Sequence, residues 1–143
     1  MERVAALGLD VGRRRMGVAG CDGTGLIATG ITTIRRTYWA EDVRQLEEIV
    51  NERGISILVI GLPYNLDGTL GSQAKKTQQF ADRLSRTLEL PYEFVDERLT
   101  SVEATAQLKA QKQFSTYDKG AIDRRAAAII LQQWLDIRRS QKK

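Results

Sequence analysis

Residues 4–34 read VAALGLDVGRRRMGVAGCDGTGLIATGITTI, and their reading decides the fold. Val4 to Asp10, Met16 to Cys21 and Leu26 to Ile34 are apolar or β-branched stretches of strand length, separated by turn formers at Gly12 to Arg15 and Asp22 to Gly25. Parallel neighbours need a crossover of roughly a dozen residues or more, and these turns are far shorter. The opening third is therefore expected to be an antiparallel three-stranded meander.

Beyond it the hydrophobic period changes. Val43, Leu46, Ile49 and Val50 recur at helical spacing from about Glu41, and Gly54 is placed to end that helix in the left-handed conformation. Ile55 to Ile60, bounded by Gly54 and Gly61, is a continuous apolar run expected as a strand buried on both faces. A loop from Gly61 to Leu70 carries Pro63, Asn65, Asp67 and Gly68, with Asn65 expected in a turn role. Phe80, Leu84 and Leu88 line one face of a helix over about Ser72 to Leu88. Tyr92 to Asp96 follows as a strand. Thr100 and Glu103 form a capping box heading a helix to about Ala110, and a last helix is expected from about Ile122 to Arg139. The order predicts an α/β fold, a five-stranded mixed sheet flanked by helices, as a single domain over 1–139 with a basic tail at 140–143.

Composition narrows the chemistry. In 143 residues there is no histidine, which removes histidine general bases and imidazole metal ligands. Cys21 is the single cysteine, so neither an intrachain disulfide nor a thiolate zinc site can form, and a small apolar strand residue is its expected role. Hydrolytic chemistry must come from carboxylates, and metals held by carboxylates alone are hard ions such as Mg²⁺ or Mn²⁺. The net charge of +4 is a mild pull toward an anionic partner. No apolar run nears the roughly 20 residues of a membrane span. The N-terminus lacks a signal-peptide layout, so a cytoplasmic location is expected.

Three carboxylates stand where a solvated surface charge is not expected. Asp10 closes the first strand; a turn-starting Asp bonded to its own backbone is the alternative reading. Glu97 directly follows the strand ending at Asp96, where it could instead serve the dipole of the next helix. Asp123 heads the stripe Asp123, Ala126, Ala127, Ile130, Leu131 and Trp134, which points it at the sheet, with a helix-dipole partner again as the alternative. Two strand ends and a helix start can converge, and three converging carboxylates suit one or two divalent ions that activate water for phosphodiester hydrolysis.

The stretches Leu7-Gly-Leu-Asp-Val-Gly12 through Gly17-Val-Ala19, Gly61-Leu-Pro-Tyr-Asn-Leu-Asp-Gly-Thr69, Val95-Asp-Glu-Arg-Leu-Thr100 and Lys119-Gly-Ala-Ile-Asp-Arg-Arg-Ala-Ala127 together resemble the YqgF family, also called RuvX. They run in the family's order over nearly the whole chain. The resemblance implies a ribonuclease H-like fold related to Holliday junction resolvases and a role as nuclease maturing the 5′ end of precursor 16S ribosomal RNA. By motif position it lays the family's acidic triad on Asp10, Glu97 and Asp123, with Asp96 and Asp118 ranked below them.

Arg13, Arg14 and Arg15 in the turn after Asp10, and Arg98 after Glu97, are placed to meet phosphates flanking the scissile one. Lys75 and Lys76 open the helix after the Gly68 to Ser72 loop and join them as candidate nucleic-acid contacts. Trp134 is expected in the core, while Trp39 beside Tyr38 is open between packing and base stacking. The leading expectation is a metal-dependent nuclease acting on structured RNA, with ribosomal precursor particles as partners. Three other readings stay open. A Holliday junction resolvase would cut branched DNA as a two-fold dimer, although no dimer face is visible in the sequence. A non-catalytic ribosome-assembly factor would bind nucleic acid without turnover. A sugar-kinase or actin-like ATPase also uses Asp-x-Gly after a first strand but needs two such domains.

Overall fold

Over Ala6–Leu9 and Met16–Ala19 large and small side chains alternate: Leu7, Leu9, Met16 and Val18 take one face of the sheet, Ala6, Gly8, Gly17 and Ala19 the other. This division sets what each face can receive. The computed structural model describes residues 3–65, 67–97 and 119–141. Strands β1 (Ala6–Val11), β2 (Arg15–Cys21) and β3 (Ala28–Arg35) form the expected antiparallel meander. Helix α1 (Trp39–Arg53), strand β4 (Ile57–Leu62), helix α2 (Ser72–Leu88), strand β5 (Tyr92–Asp96) and helix α3 (Lys119–Gln141) follow. The sheet order is β3-β2-β1-β4-β5, with β4 parallel to both β1 and β5. The fold class is the one expected. Arg98, Asp118 and the capping-box helix expected over Thr100 to Ala110 lie outside the described residues.

On the large-residue face Leu7, Leu9, Met16, Val18, Leu58 and Ile60 pack against Val43 and Leu46 of α1 and Ala81 and Leu84 of α2. Gly54 ends α1 at φ 63°, its N–H donating to the Val50 carbonyl, a left-handed cap that glycine adopts without steric cost. On the small-residue face α3 alone among the described helices covers the sheet, laying Ala127, Ile130, Leu131 and Leu135 on Ala6, Ala19, Val59 and Val95. Trp134 packs there as well. The Gln132 side chain accepts the Ala28 N–H at 2.9 Å and donates to the Leu26 carbonyl at 2.8 Å, tying α3 to the edge strand.

Several boundaries move by one to three residues, and two of the shifts bear on the site. β4 runs two residues later than expected, so Gly61 lies inside the strand, opposite Val95, instead of ending it. α3 begins at Lys119, and Asp123 is therefore a turn beyond the described start of the helix. No helix among the described residues is long and apolar enough to cross a membrane.

Candidate active site

Asp10 sits one residue from the carboxyl end of β1, in the α3-facing register shared by Ala6 and Gly8, and its partner across the ladder is Gly17. A Cβ at Gly17 would overlap the backbone carbonyl of Asp123, so the missing side chain lets α3 close onto β2 at this one point. Thr33 anchors the same end of the helix, its hydroxyl donating to the Gly120 carbonyl at 2.6 Å. Local sequence therefore presses Asp123 against the strand end that carries Asp10.

Glu97 arrives from the other side. Val95 is buried under α3, Asp96 alternates away from it, and Glu97 directly follows the end of β5. Its side chain lies over Gly61, where a Cβ would stand 2.5 Å from Oε1 and 3.0 Å from Cγ. Glycine at 61 thus makes the room that Glu97 occupies.

The three carboxylates interact. Burial raises the Asp10 carboxyl above its ordinary range and the neighbouring charge of Asp123 adds to this, while a hydrogen bond with Glu97 opposes it. Glu97 is pushed up to about 7 by burial, then by the charge of Asp10, by its hydrogen bond to Asp10 and by the charge of Asp96. Asp10 and Glu97 are therefore a hydrogen-bonded pair in which burial and mutual repulsion disfavour two simultaneous charges. Asp123 accepts a 2.5 Å hydrogen bond from Arg15 Nε. Drawn to that guanidinium, it does not complete a ready-made cage, and among the described residues no three acidic, histidine or cysteine side chains form one.

The pair makes stability depend on pH in the metal-free protein. A carboxyl raised from 4.5 to about 7 binds its proton more tightly folded than unfolded. Its contribution is full below pH 4.5 and is lost as pH rises through about 7. Thermal unfolding in chelator should show a midpoint several degrees higher at pH 5 than at pH 8, in line with about 2–8 °C per kcal/mol for a domain of this size. Glu97→Gln should shrink that difference, and an unchanged profile in the variant would contradict the assigned pair.

The expected basic residues divide. Arg15 is engaged by Asp123, whereas Arg13, Arg14, Lys75 and Lys76 are exposed, on the turn between β1 and β2 and on the first turns of α2. Asn65 takes its turn role, its N–H donating to the Thr69 carbonyl and its own carbonyl accepting the Gly68 N–H. Trp39 is a packing residue, edge-on to Phe80 at 5.7 Å with the Arg83 guanidinium 3.9 Å above its ring. Arg36 was not singled out from sequence. It follows β3, donates from Nη1 to the Gly12 carbonyl at 2.6 Å and lies 5.0 Å over the Phe80 ring. Its arginine neighbour, Arg35, left nothing to distinguish it in the sequence.

Comparison with known proteins points to one family and one fold. The RuvX family model, described as Holliday junction resolvase, matches residues 4–137. A relative from Rippkaea orientalis is 69% identical over 139 residues, covering 97% of this chain and 100% of its own length. One from Synechocystis sp. PCC 6803 is 64% identical, covering 97% of this chain and 91% of its own. Both carry, as a provisional assignment, the name pre-16S rRNA nuclease. Among solved structures, Thermus thermophilus RuvC in complex with a Holliday junction substrate superposes with a TM-score of 0.58 at 12% identity, over 94% of this chain and 95% of that one. A second T. thermophilus RuvC structure gives 0.55 at 12% identity, over 96% and 97%. At such identity the likeness is one of fold, the ribonuclease H-like sheet.

Proposed function

The chain belongs to the RuvX family, and from that premise we propose that it is a nuclease that hydrolyses phosphodiester bonds in the 5′ leader of precursor 16S ribosomal RNA, with Asp10, Glu97 and Asp123 as its catalytic carboxylates. The observation that carries the reading is the Asp10–Glu97 pair, two buried carboxyls from different strand ends that hydrogen-bond to each other.

A divalent cation fits the donor chemistry. Every candidate ligand is a carboxylate oxygen, the set that suits Mg²⁺ or Mn²⁺. Asp10 and Glu97 would hold the ion, and Asp123 would join them on leaving Arg15. Bound there, the metal would supply an activated water and stabilisation of the leaving oxygen. The chain's own residues do the rest. Glu97, at about 7, gives up its proton at neutral pH with little further inducement. Asp10, which both other carboxylates face, would bring the negative charge that holds the ion. Arg15, released from Asp123, would face the phosphate flanking the cut, with Arg14 and Lys75 as outer contacts, alongside Arg98. With ribosomal precursor RNA or its particles as substrate, the protein would act in the cytoplasm.

The test offers purified protein with Mg²⁺ or Mn²⁺ two substrates, a precursor 16S RNA with its 5′ leader and a four-way DNA junction. Shortening of the leader with the junction intact is expected. Paired cuts in the junction with the RNA intact would instead establish a resolvase, which the family description favours. Tight binding of the RNA without any cut would make the protein an assembly factor.

A further inference from the structure

Val11 and Asp10 are consecutive, so they face opposite sides of the sheet. Asp10 joins the carboxylates under α3, whereas Val11 packs with the large-residue core beside α2. On that second side a cleft of about 360 Å³ opens at the end of β1, walled by Arg13, Arg36, Gln73, Lys76 and Phe80. Three of its walls are cationic and none is acidic. Arg36 is held in place by the Gly12 carbonyl and the Phe80 ring, which use one N–H and one face of the guanidinium, so that further donors remain on a side chain that lines the cleft. No described carboxylate pairs with Arg13, Arg36 or Lys76.

Gly12 is two residues from Asp10, a separation of at most about 7 Å along the backbone. The cleft and the carboxylates lie on opposite sides of the sheet, so a polymer that touches both must turn around the carboxyl end of β1. Duplex nucleic acid, stiff over roughly 150 base pairs for DNA, does not bend so sharply, but a single strand does. Resting on the nuclease reading above, we infer that the Arg13–Arg36–Lys76 cleft is a phosphodiester subsite that grips a single-stranded segment of the substrate beside the bond to be cut.

The test reads binding in chelator, by fluorescence anisotropy, with a labelled single-stranded RNA and a blunt duplex RNA of equal length. Without metal there is no turnover, so this result is independent of whether the protein cuts; failure of the nuclease reading would show separately, as no cleavage by wild type with Mg²⁺ or Mn²⁺. The single strand is expected to bind more tightly than the duplex. Arg13→Ala with Lys76→Ala should weaken single-strand binding roughly tenfold at low salt and flatten the plot of log affinity against log salt by about 0.7 per lost phosphate contact. Arg44→Ala with Arg86→Ala removes the same charge from exposed helix faces, where each arginine pairs with acids of its own helix, and should change little. Arg36→Lys, checked for folding by its melting temperature, should lose affinity although the charge is kept, since lysine lacks the fork. The inference is overturned if the cleft variant matches the control variant, if duplex binds as well as single strand, or if wild type binds no strand.

Discussion

Asp10→Asn should reduce cleavage by about two to four orders of magnitude while leaving nucleic-acid affinity within about twofold, because the metal contributes several kcal/mol to the transition state and each 1.4 kcal/mol is a factor of ten. Asparagine keeps the shape of the side chain and its place against Gly17 but removes the charge. Asp10 is the member that both of the others meet, hydrogen-bonded to Glu97 and within reach of the Asp123 charge. No remaining pair can substitute for it. The same change should not cost stability. A carboxyl raised by burial and by a like charge opposes folding once ionised, so at pH 8 in chelator the variant should melt at or above the wild-type temperature. Added Mg²⁺ or Mn²⁺ should then raise the wild-type midpoint more than that of the variant. Cutting at the wild-type rate by Asp10→Asn, in preparations free of contaminating nuclease, would remove Asp10 from the mechanism.

Gly17→Ala should be the most damaging single methyl in the protein. The new Cβ would overlap the Asp123 carbonyl oxygen and stand 2.5 Å from its carbon and 3.3 Å from the Arg124 nitrogen. All three are backbone atoms of a helix and cannot rotate aside. α3 would have to lift from β2, breaking the contacts of Ala127 and Leu131 with the sheet and carrying Asp123 away from Asp10. We expect about 3 kcal/mol of destabilisation, or roughly 10 °C in melting temperature, together with loss of cleavage. Gly61→Ala supplies the contrast. There the crowded atoms are Glu97 Oε1 at 2.5 Å and Ile130 Cδ1 at 2.6 Å, ends of side chains that can swing. Stability should fall by only about 1 kcal/mol. Cleavage should fall by about a hundredfold, since a displacement of the order of 1 Å is enough to misplace a catalytic group by that much. If Gly17→Ala melted like wild type, the close approach of α3 to β2 would be wrong.

What the sequence determined by itself was everything that local periodicity encodes. The meander from β1 to β3, the bounds of α2 and β5, the Gly54 cap and the inward face of α3 follow from spacing of two or 3.6 residues and from turn chemistry, which act between near neighbours. The three carboxylates were legible for the same reason, each being a charge at the end of a buried pattern. β4 was misplaced by two residues because an apolar run from Ile55 to Leu62 does not say where pairing starts; Ala6 opposite Ile57 does, and that partner is distant in the chain. Nor could any pattern show that Asp123 would bond Arg15, that Asp10 and Glu97 would hydrogen-bond to each other, or that Arg36 would be pinned between Gly12 and Phe80. Those depend on distances between elements, and the distances were set when small residues at 17 and 61 let a helix and a side chain approach the sheet more closely than a Cβ allows. The sequence carried the candidate residues of the site, and tertiary packing alone decided their partners.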